Sequence, residues 1–497
     1  MQKKYILSFF SLLCLTGFSL SAQQLSGKLL SKETNESIPY AAVQIGENYG
    51  VITNKEGEFQ INIDRFSAND SLHFSSMGYL EKKIALKDYQ PNSTIYLKED
   101  IGQLEDVFLV NKNLSIEEIM TKVSENLESN YQYSLKKFDI FTRTQSTTKV
   151  LDIEFEIDKA TFLDKSVRKN FNKSLDSLLQ KNKNSSNTSY SENYTQVFIG
   201  STLDSLKINL QKATELKDET KAEDAEGFSA QVFRKIAENL NSKNTFKVKS
   251  GLLPIDDSLE VGKSFKVKDH KNDSLITKDI KENYLRTIKH NANLHPGKLE
   301  FVEDFKAYDF TQEKITGYQG EMVYVLNFVP RRGRAKYHGR LYISSETFAV
   351  IKAEYELEDG EKASGLNLKF LLGIKYRRDK NTGIVIFKKN AQNTYDPIYL
   401  KSSTQDYVYL NRKFKFKENT DDRSNRIKFK FDLLVENDSH SSEELLFVKT
   451  EPITEETYKS IKEKQGVAIE KIKKYNASIW KDYNIISPEQ DLQNFEY

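Results

Sequence analysis

The stretch Thr53-Asn54-Lys55-Glu56-Gly57-Glu58-Phe59 contains a turn followed directly by the start of an alternating strand. Gly57 suits a turn position with positive φ, and Gly78 suits a second one. Outward from this stretch, short apolar runs recur on both sides between turn residues. The candidate strands are Leu25–Leu30, Ala41–Ile45, Phe59–Ile63, Ser71–Ser75, Lys82–Leu86 and Thr94–Leu97. This pattern predicts an all-β sandwich over residues 23–110.

The same segment carries a set of motifs that resembles one family. The set consists of Gly27, Ile38-Pro39-Tyr40-Ala41, the 53–59 stretch, Leu72 and Gly78-Tyr79. It resembles the carboxypeptidase-regulatory-like domain, which also forms the N-terminal extension of TonB-dependent receptors. Asn54 departs from the family, which usually has Asp there, so this position carries no acidic side chain. The resemblance implies a structural or docking module, because in carboxypeptidases this module supplies none of the zinc ligands.

Residues 1–22 have the layout of a secretory signal peptide. Lys3 and Lys4 precede an apolar run at residues 5–18, and small and polar residues lead to Ala22. The run is shorter than the roughly 20 apolar residues that a membrane-spanning helix needs. We therefore expect an exported protein, located in the periplasm or on the periplasmic side of the outer membrane.

Cys14 is the only cysteine of the chain. It raises the alternative of a lipoprotein, but Leu13 stands where a small residue normally precedes a lipidated cysteine. A chain cleaved after Ala22 would contain no cysteine, so we expect no disulfide, thiol chemistry or cysteine metal site. We expect no lipid on Cys14.

The charge balance argues against nucleic acid as a partner. Charged residues make up 29% of the chain, yet the net charge is only +2. Phosphate binding needs a concentrated positive excess. Since no later apolar run reaches spanning length, we also expect no transmembrane span in the mature chain.

Residues 111–164 are predicted to begin a second domain with a helix and its first strands. Ser115 and Glu118 have the spacing of a capping box at a helix start. Residues 151–158 alternate between apolar and acidic side chains, which predicts a strand with one solvated acidic face. The helix ending near Tyr131, followed by a strand at 138–141, resembles an uncharacterised domain that often follows the regulatory-like module.

Residues 165–265 are predicted to form a polar, partly helical insertion. Residues 165–200 are rich in Lys, Asn and Ser, which favours a mobile connection. Two later sets of apolar residues have helical spacing. They are Leu203, Leu206, Leu210, Ala213 and Leu216, then Phe228, Val232, Ile236 and Leu240.

Residues 266–435 are predicted to form long antiparallel strands in a broad sheet or half-barrel. The clearest candidates are Met322–Val329, Gly339–Ile343, Ala349–Leu357, Leu366–Tyr376, Ile384–Lys389, Tyr399–Leu410 and Ile427–Leu434. Asn381-Thr382-Gly383 is typical of a tight hairpin. The runs at 339–343 and 348–351 resemble the curved sheets of periplasmic lipoprotein carriers.

Residues 436–497 are predicted to be a polar and helical tail, with a helix from about Thr454 to Tyr475. The predicted fold class is therefore mainly β. An N-terminal sandwich of the seven-stranded type precedes a larger antiparallel sheet or half-barrel domain with a partly helical insertion.

The sequence contains few traces of a catalytic motif. His440-Ser441-Ser442-Glu443 spells the His-x-x-Glu pair of a zinc carboxypeptidase, but no later histidine follows and residues 437–439 suggest a polar turn. The sequence lacks a His-Glu-x-x-His motif, a nucleophile elbow, a phosphate loop and a Rossmann fingerprint. Paired carboxylates of a glycosidase leave no readable spacing, so that class stays open. We expect no enzymatic activity, metal or cofactor.

One basic cluster is a candidate binding site: Arg331, Arg332, Arg334, Lys336 and Arg340. Arginines suit forked contacts with anions such as lipid phosphate or acidic polysaccharide. The alternative, which we favour, is a solvated hairpin tip.

These features together predict a non-catalytic envelope protein that binds or scaffolds another envelope component, whether protein, lipid or polysaccharide. The alternative is a periplasmic carrier of lipid or lipoprotein that uses the concave face of a half-barrel. A carrier would need an apolar pocket, whereas a scaffold would need a filled core and an exposed binding surface.

Overall fold

The structure is a computed structural model that describes residues 24–46, 48–100, 114–202, 205–217, 244–260, 273–290, 295–331, 333–464 and 467–496. Its strands are β1 (Gln24–Ser31), β2 (Ala42–Ile45), β3 (Tyr49–Ile52), β4 (Glu58–Asn62), β5 (Ser71–Ser75), β6 (Lys82–Ala85), β7 (Ser93–Leu97), β8 (Lys136–Ala160), β9 (Ser186–Ile199), β10 (Leu206–Lys217), β11 (Phe246–Ser250), β12 (Leu253–Leu259), β13 (Tyr308–Tyr318), β14 (Glu321–Pro330), β15 (Tyr337–Ser344), β16 (Val350–Leu357), β17 (Ser364–Leu368), β18 (Ile374–Lys389), β19 (Tyr395–Glu418), β20 (Lys428–Pro452) and β21 (Ile469–Ile472). The α-helices are α1 (Ile116–Glu125), α2 (Leu127–Asn130), α3 (Lys165–Asn182), α4 (Asp273–His290), α5 (Glu300–Glu303), α6 (Lys369–Leu372), α7 (Glu455–Ser460) and α8 (Gln490–Gln493).

The mainly β fold class is confirmed. The predicted signal peptide and the predicted helix at residues 228–240 lie outside the described residues. No helix in the described ranges is both long enough and apolar enough to cross a membrane.

The first domain is the predicted β-sandwich. One sheet has the order β4-β1-β7, and the other has the order β3-β2-β5-β6. Phe59 on β4 and Phe74 on β5 are buried and meet edge to face at 5.7 Å, so the core lies between the two sheets. All six predicted strands are present, and β3 is a further, short strand that contains Gly50. The positive φ expected at Gly57 (77°) and Gly78 (83°) is confirmed.

The larger sheet is almost wholly antiparallel, as expected, and its strand order is open; the sequence had left an open sheet and a half-barrel as alternatives. Its strands run in the order β21-β10-β9-β8-β20-β19-β18-β16-β15-β14-β13, and only the β10–β21 pair is parallel. β11 and β12 extend this sheet beside the end of β19, and β17 pairs with the start of β18. β8 and β20 contain 25 residues each, so they span roughly 80 Å.

The two faces of this sheet are covered by different elements. On the sandwich face, Phe141, Tyr399 and Leu446 share one core with the first domain, and Tyr40 stacks on Tyr399 at 5.3 Å. On the opposite face, called the helix face, Leu400 and other apolar residues pack against α4. A separate aromatic core lies on the helix face at the far end of the long strands. On the helix face, the middle of the long strands therefore lies between the core that packs against α4 and the aromatic core at the far end.

The C-terminal segment, residues 476–496, joins the first domain to the sheet. Asn484 Oδ1 accepts a hydrogen bond from the backbone N–H of Asn62 at 2.7 Å, and Trp480 is fully buried in the shared core. Asn54 Oδ1 accepts from the N–H of Glu58, while its Nδ2 donates to the Pro488 carbonyl at 3.4 Å. A carboxylate could not make the second contact, which accounts for an amide where the resembling family usually has Asp.

The predicted hairpin at residues 381–383 is wrong, because these residues continue β18 and pair with β19. A Cβ atom at Gly383 would collide with the Tyr355 ring, so this glycine makes room for a side chain rather than forming a turn. The chain turns earlier, at Gly373 with φ 64°, after α6. The predicted strand Leu366–Tyr376 is for that reason divided between β17 and β18.

The predicted helix at residues 203–216 is wrong, because residues 206–217 form β10. Leu206, Ile208 and Leu210 are buried in alternation, as in a strand. A bulge between Leu210 and Lys212 then shifts the alternation by one residue, so the next buried residue is Ala213. The bulge produces the spacing of three that resembles a helix.

The predicted mobile connection at residues 165–200 is also wrong. Its first part is α3, whose buried Leu175 and partly buried Phe171 lie one helical turn apart. The second part is β9, which pairs with β8 along most of its length. Because α3 and β9 are rich in Lys, Asn and Ser, the sequence pattern did not predict either element. The boundaries predicted for the domains stay a prediction.

The predicted tail is wrong in its secondary structure. Residues 436–452 continue β20 despite their many Ser, Asn and Glu side chains. Their backbone pairs with β8, and residues 436–446 also pair with β19. Between Thr454 and Tyr475 the described residues form the short helix α7 and the strand β21 instead of one long helix.

The predicted capping box at the start of α1 is confirmed. Ser115 Oγ accepts from the N–H of Glu118 at 3.2 Å, and Glu118 Oε2 accepts from the N–H of Ser115 at 2.7 Å. These hydrogen bonds from Ser115 lower the pKa of Glu118.

Ser115→Ala is expected to lower the free energy of unfolding by about 1 kcal/mol, because it removes one half of the box. Thr121→Ala on the same helix is the control and should change it by less than about 0.5 kcal/mol. Denaturant titration at pH 7 measures both. Because the pKa of Glu118 is lowered in the folded state, the difference caused by Ser115→Ala should shrink as the pH falls through that pKa. A constant difference across this range would contradict the role of the Glu118 carboxylate.

Candidate functional site: a polar cleft on the long sheet

The helix face carries a polar cleft of about 680 Å³ between the middle of the sheet and α4. Its floor is formed by four half-buried hydroxyl side chains from β8, β19 and β20: Thr144, Ser402, Thr404 and Ser441. The register places Glu443 between Thr144 and Ser402. In the described part of the chain, none of the four hydroxyls hydrogen-bonds to another residue. They are therefore available to a ligand or to water.

One wall of the cleft is a chain of polar contacts from α4 to the floor. Asn283 Nδ2 donates to Glu443 Oε1 at 2.9 Å, and Arg286 Nη2 donates to Asn283 Oδ1 at 2.7 Å. Thr287 is buried beside them. These contacts orient the side chains of Asn283, Arg286 and Glu443. The remaining donors and acceptors of these side chains have no other partner among the described residues.

The position of α4 follows from its amphipathic sequence. Tyr284 and Ile288 lie four residues apart and are buried in the core of the helix face. The Tyr284 hydroxyl accepts from Thr142 Oγ1 at 2.8 Å and donates to Asn193 Oδ1 at 3.0 Å. This anchor turns the polar side of the helix toward the cleft.

Arg378 completes the lining and is neutralised within the protein. Its Nε and Nη2 donate to the two carboxylate oxygens of Asp406 at 2.8 and 2.9 Å, and Tyr376 donates to the same carboxylate. Burial opposes the charge of Asp406, but the hydrogen bonds from Arg378 and Tyr376 outweigh it and lower the pKa of Asp406. Asp406 therefore stays ionised, and the pair adds almost no net charge to the cleft.

The cleft does not have the geometry of common hydrolytic sites. Glu443 pairs with Ser402, and Asp406 follows four residues later on β19, so the backbone positions of the two acidic residues are about 13 Å apart along the strands. Glycosidases hold their carboxylates roughly 5–9.5 Å apart. The described lining also contains no histidine that could serve as a base for a serine or threonine.

The structure places the predicted basic cluster around the β14–β15 hairpin rather than at the cleft. Its described arginines contact carboxylates: Arg331 with Asp309 at 2.5 Å, Arg334 with Asp304 at 2.8 Å, and Arg340 with Glu313 at 3.0 Å. The backbone N–H of Lys336 donates to Glu300, and Arg332 lies outside the described residues. The anion contact stays a prediction.

His440 and Glu443 lie on β20 and not in a polar turn, which corrects the predicted setting. Residues three apart on a strand point to opposite faces. Accordingly, His440 pairs with Thr147 and Gln405, whereas Glu443 faces the cleft. Within the described ranges, no group of three or more His, Cys, Asp or Glu residues is placed to hold a metal ion.

Purified protein is expected to contain no stoichiometric zinc, because His440 and Glu443 cannot reach one ion from opposite faces. His440→Ala should leave the melting temperature within about 2 °C of wild type, since an exposed strand position contributes little. Elemental analysis and a thermal melt measure the two outcomes. One zinc ion per chain, lost in the variant, would refute this expectation.

The sequence contains a sign of the cleft in its clusters of polar residues, which the motif patterns did not reveal. Ser, Thr, Asn and Gln are concentrated at residues 144–148, 186–191, 402–405 and 439–442. Such stretches look like turns when read singly, but in the structure they lie side by side on adjacent strands.

Comparison with known proteins identifies the first domain. Residues 25–109 match the family model of the CarboxypepD_reg-like domain. The chain therefore opens with a carboxypeptidase-regulatory-like domain, a kind of domain that is not itself catalytic. None of the curated proteins matches the sequence.

One solved structure is similar over much of its length. It is the crystal structure of a protein from Bacteroides fragilis NCTC 9343 that is described as membrane-associated and of unknown function. The alignment covers 84% of this chain and 96% of that chain, with 9% identity and a TM-score of 0.13. At that TM-score the likeness carries no argument about fold or function.

Proposed function

We propose that this chain is a non-catalytic, exported protein of the cell envelope that binds or scaffolds another envelope component at the polar cleft. The observation that carries the proposal is the cleft floor, whose hydroxyls have no partner among the described residues although they lie on a rigid sheet. Preorganised polar groups in a cavity of this size are typical of binding sites. The separated carboxylates favour binding over hydrolysis.

The lining also favours a scaffold over a carrier of lipid. An acyl chain needs apolar walls, whereas this cleft is lined by hydroxyl, amide, guanidinium and carboxylate groups. The core that could have formed an apolar pocket on the sandwich face is filled by the first domain and by Trp480.

Site-directed photo-cross-linking in the bacterium that encodes the protein tests this proposal. A photoreactive residue at Ser146, which lies on the same face as Thr144, should yield an adduct with an envelope component. The control is the neighbouring Thr147, which points to the opposite face and should yield none. Absence of an adduct from envelope fractions, or equal yields at both positions, would refute the cleft as a binding site.

Two measurements on protein from the envelope fraction test export and lipid carriage: intact mass and solvent extraction. A mature chain that begins after Ala22 is expected in the envelope fraction, with far less than one extracted lipid per chain. A protein that keeps Met1 in the cytoplasm would contradict export, and one lipid per chain would favour the carrier.

A further inference from the structure

Lysines form an unusual ladder at the far end of the long strands. Lys249, Lys415, Lys430 and Lys159 lie directly opposite one another on β11, β19, β20 and β8. A second row beside them contains Lys247, Lys417 and Lys428. Like charges in directly opposite positions destabilise a sheet, so these rows oppose folding.

Alternation along the strands places all of these lysines on one face. On β19 and β20, Phe414, Phe416, Phe429 and Phe431 occupy the intervening positions and form the aromatic core of the helix face. The lysines thus point to the other side, where Lys159, Lys249, Lys415 and Lys417 are exposed.

Most of the ladder is not neutralised within the described part of the chain. Lys247 pairs with Asp257 at 2.6 Å. The other six lysines make no ion pair with a described residue. The acidic residues beside the ladder are fewer than the lysines: Asp432 and Glu156 share the next row with Lys413, and Asp257 pairs with Lys247. Positive charge is therefore in local excess in a chain whose net charge is only +2.

Large apolar side chains project beside the lysine ladder. Phe370 and Leu371 of α6 are 99% and 75% exposed, and Leu252 in the β11–β12 turn is 95% exposed. Exposure of this extent is costly in water unless the side chains have a partner.

A buried arginine holds these two apolar loops together. Arg412 donates to the Leu372 carbonyl and to both the hydroxyl and the carbonyl of Ser250. The N–H of Gly251 donates to the carbonyl of Lys413, next to the ladder. The apolar tip is therefore a built feature adjacent to the lysines.

We propose that this end of the sheet docks on an anionic lipid surface. The exposed Phe370, Leu371 and Leu252 insert among the lipid chains at the interface, and the lysine ladder contacts the phosphate headgroups. The apolar tip favours a bilayer over a soluble polyanion, since a polyanion would leave these side chains in water. The docking surface is separate from the polar cleft, so a negative result for one proposal leaves the other unaffected.

Vesicle co-sedimentation of the full mature chain tests the proposal. Wild-type protein should bind vesicles of phosphatidylglycerol and phosphatidylethanolamine and should bind vesicles of pure phosphatidylcholine far less. The triple variant Lys249→Gln, Lys415→Gln, Lys430→Gln should weaken binding to the anionic vesicles about a hundredfold. Its thermal stability should be equal to or above that of wild type, because cross-strand repulsion is relieved.

The matched control is the triple variant Lys55→Gln, Lys83→Gln, Lys87→Gln, which removes the same charge from exposed positions of the first domain. It should bind anionic vesicles like wild type. The variant Phe370→Ser, Leu371→Ser should lose the part of the binding that persists in high salt.

The proposal would be overturned by no binding of wild type to anionic vesicles, by an equal loss in both lysine variants, or by unchanged vesicle binding in the Phe370→Ser, Leu371→Ser variant. Binding of soluble polyphosphate with the same affinity as vesicles would assign the ladder to a polyanion instead, and would also refute it.

Discussion

Substituting Trp480 by alanine is expected to lower the free energy of unfolding by about 3–5 kcal/mol, the range for large buried aromatic residues. Trp480 is fully buried and packs edge to face on Phe141 of β8 at 5.3 Å. Because it lies in the core shared by the first domain and the long sheet, the cavity would weaken both.

A buried ion pair increases the effect of this substitution. Trp480 Nε1 donates to Glu192 Oε2 at 2.7 Å, and Arg143 Nε donates to Glu192 Oε1 at 2.7 Å. Burial opposes the charge of Arg143, but the Glu192 carboxylate outweighs it and raises the pKa of the guanidinium. Loss of the indole N–H leaves one oxygen of a buried carboxylate without its donor, which adds a desolvation cost.

Circular dichroism during denaturant titration measures the change, since the variant lacks the only tryptophan of the chain. Trp480→Phe keeps an aromatic ring but removes the N–H, so it should cost about 1–3 kcal/mol. Phe370→Ala, at a fully exposed aromatic, is the control and should cost less than about 0.5 kcal/mol. A Trp480→Ala variant as stable as wild type would mean that the C-terminal segment does not secure the first domain.

The parts of the fold that the sequence predicted are those governed by local rules. The capping box at Ser115 and the positive φ at Gly57 depend only on neighbouring residues, and both are present. The alternation at residues 151–158 likewise predicted a strand, because the acidic face is more solvated than the apolar face, which is buried at Ile157 and partly buried elsewhere.

The errors arose where register or tertiary packing overrides the local pattern. A bulge after Leu210 made a strand look helical, and α3 looked disordered because few of its positions are buried. Gly383 looked like a turn residue although its role is to admit the Tyr355 ring. None of these causes can be read from single-sequence periodicity.

The two proposed surfaces were hidden for the same reason. The alternation of lysine and phenylalanine at 413–417 and 428–431 is visible in the sequence. Only the register shows that Lys415 and Lys430 are opposite each other and that Lys249 and Lys159 continue the row. The polar cleft likewise combines Thr144, Thr404 and Ser441 with a helix from another part of the chain. Long-range pairing creates both surfaces.

Gly57→Val is expected to lower the free energy of unfolding by about 3 kcal/mol or more, through strain and collision together. A residue with a Cβ at φ 77° costs about 1–3 kcal/mol by itself. A Cβ at this position would also lie 2.6 Å from the carbonyl oxygen of Leu29 on β1. Leu29 belongs to the central strand of the three-stranded sheet, and its N–H donates to the Gly57 carbonyl, so neither side can move without loss of pairing.

Gly46→Ala separates the cost of backbone strain at positive φ from the cost of the collision with β1. Gly46 also has positive φ, at 64°, but a Cβ there would meet nothing within 4 Å, so only the strain of about 1–2 kcal/mol should remain. Gly57→Ala should then cost clearly more than Gly46→Ala, and the difference measures the collision with β1. Denaturant titration of the full chain gives all three values. An equal loss of unfolding free energy in Gly46→Ala and Gly57→Ala would show that β1 moves to accommodate the added Cβ atom. That result would contradict a rigid turn at residues 54–57.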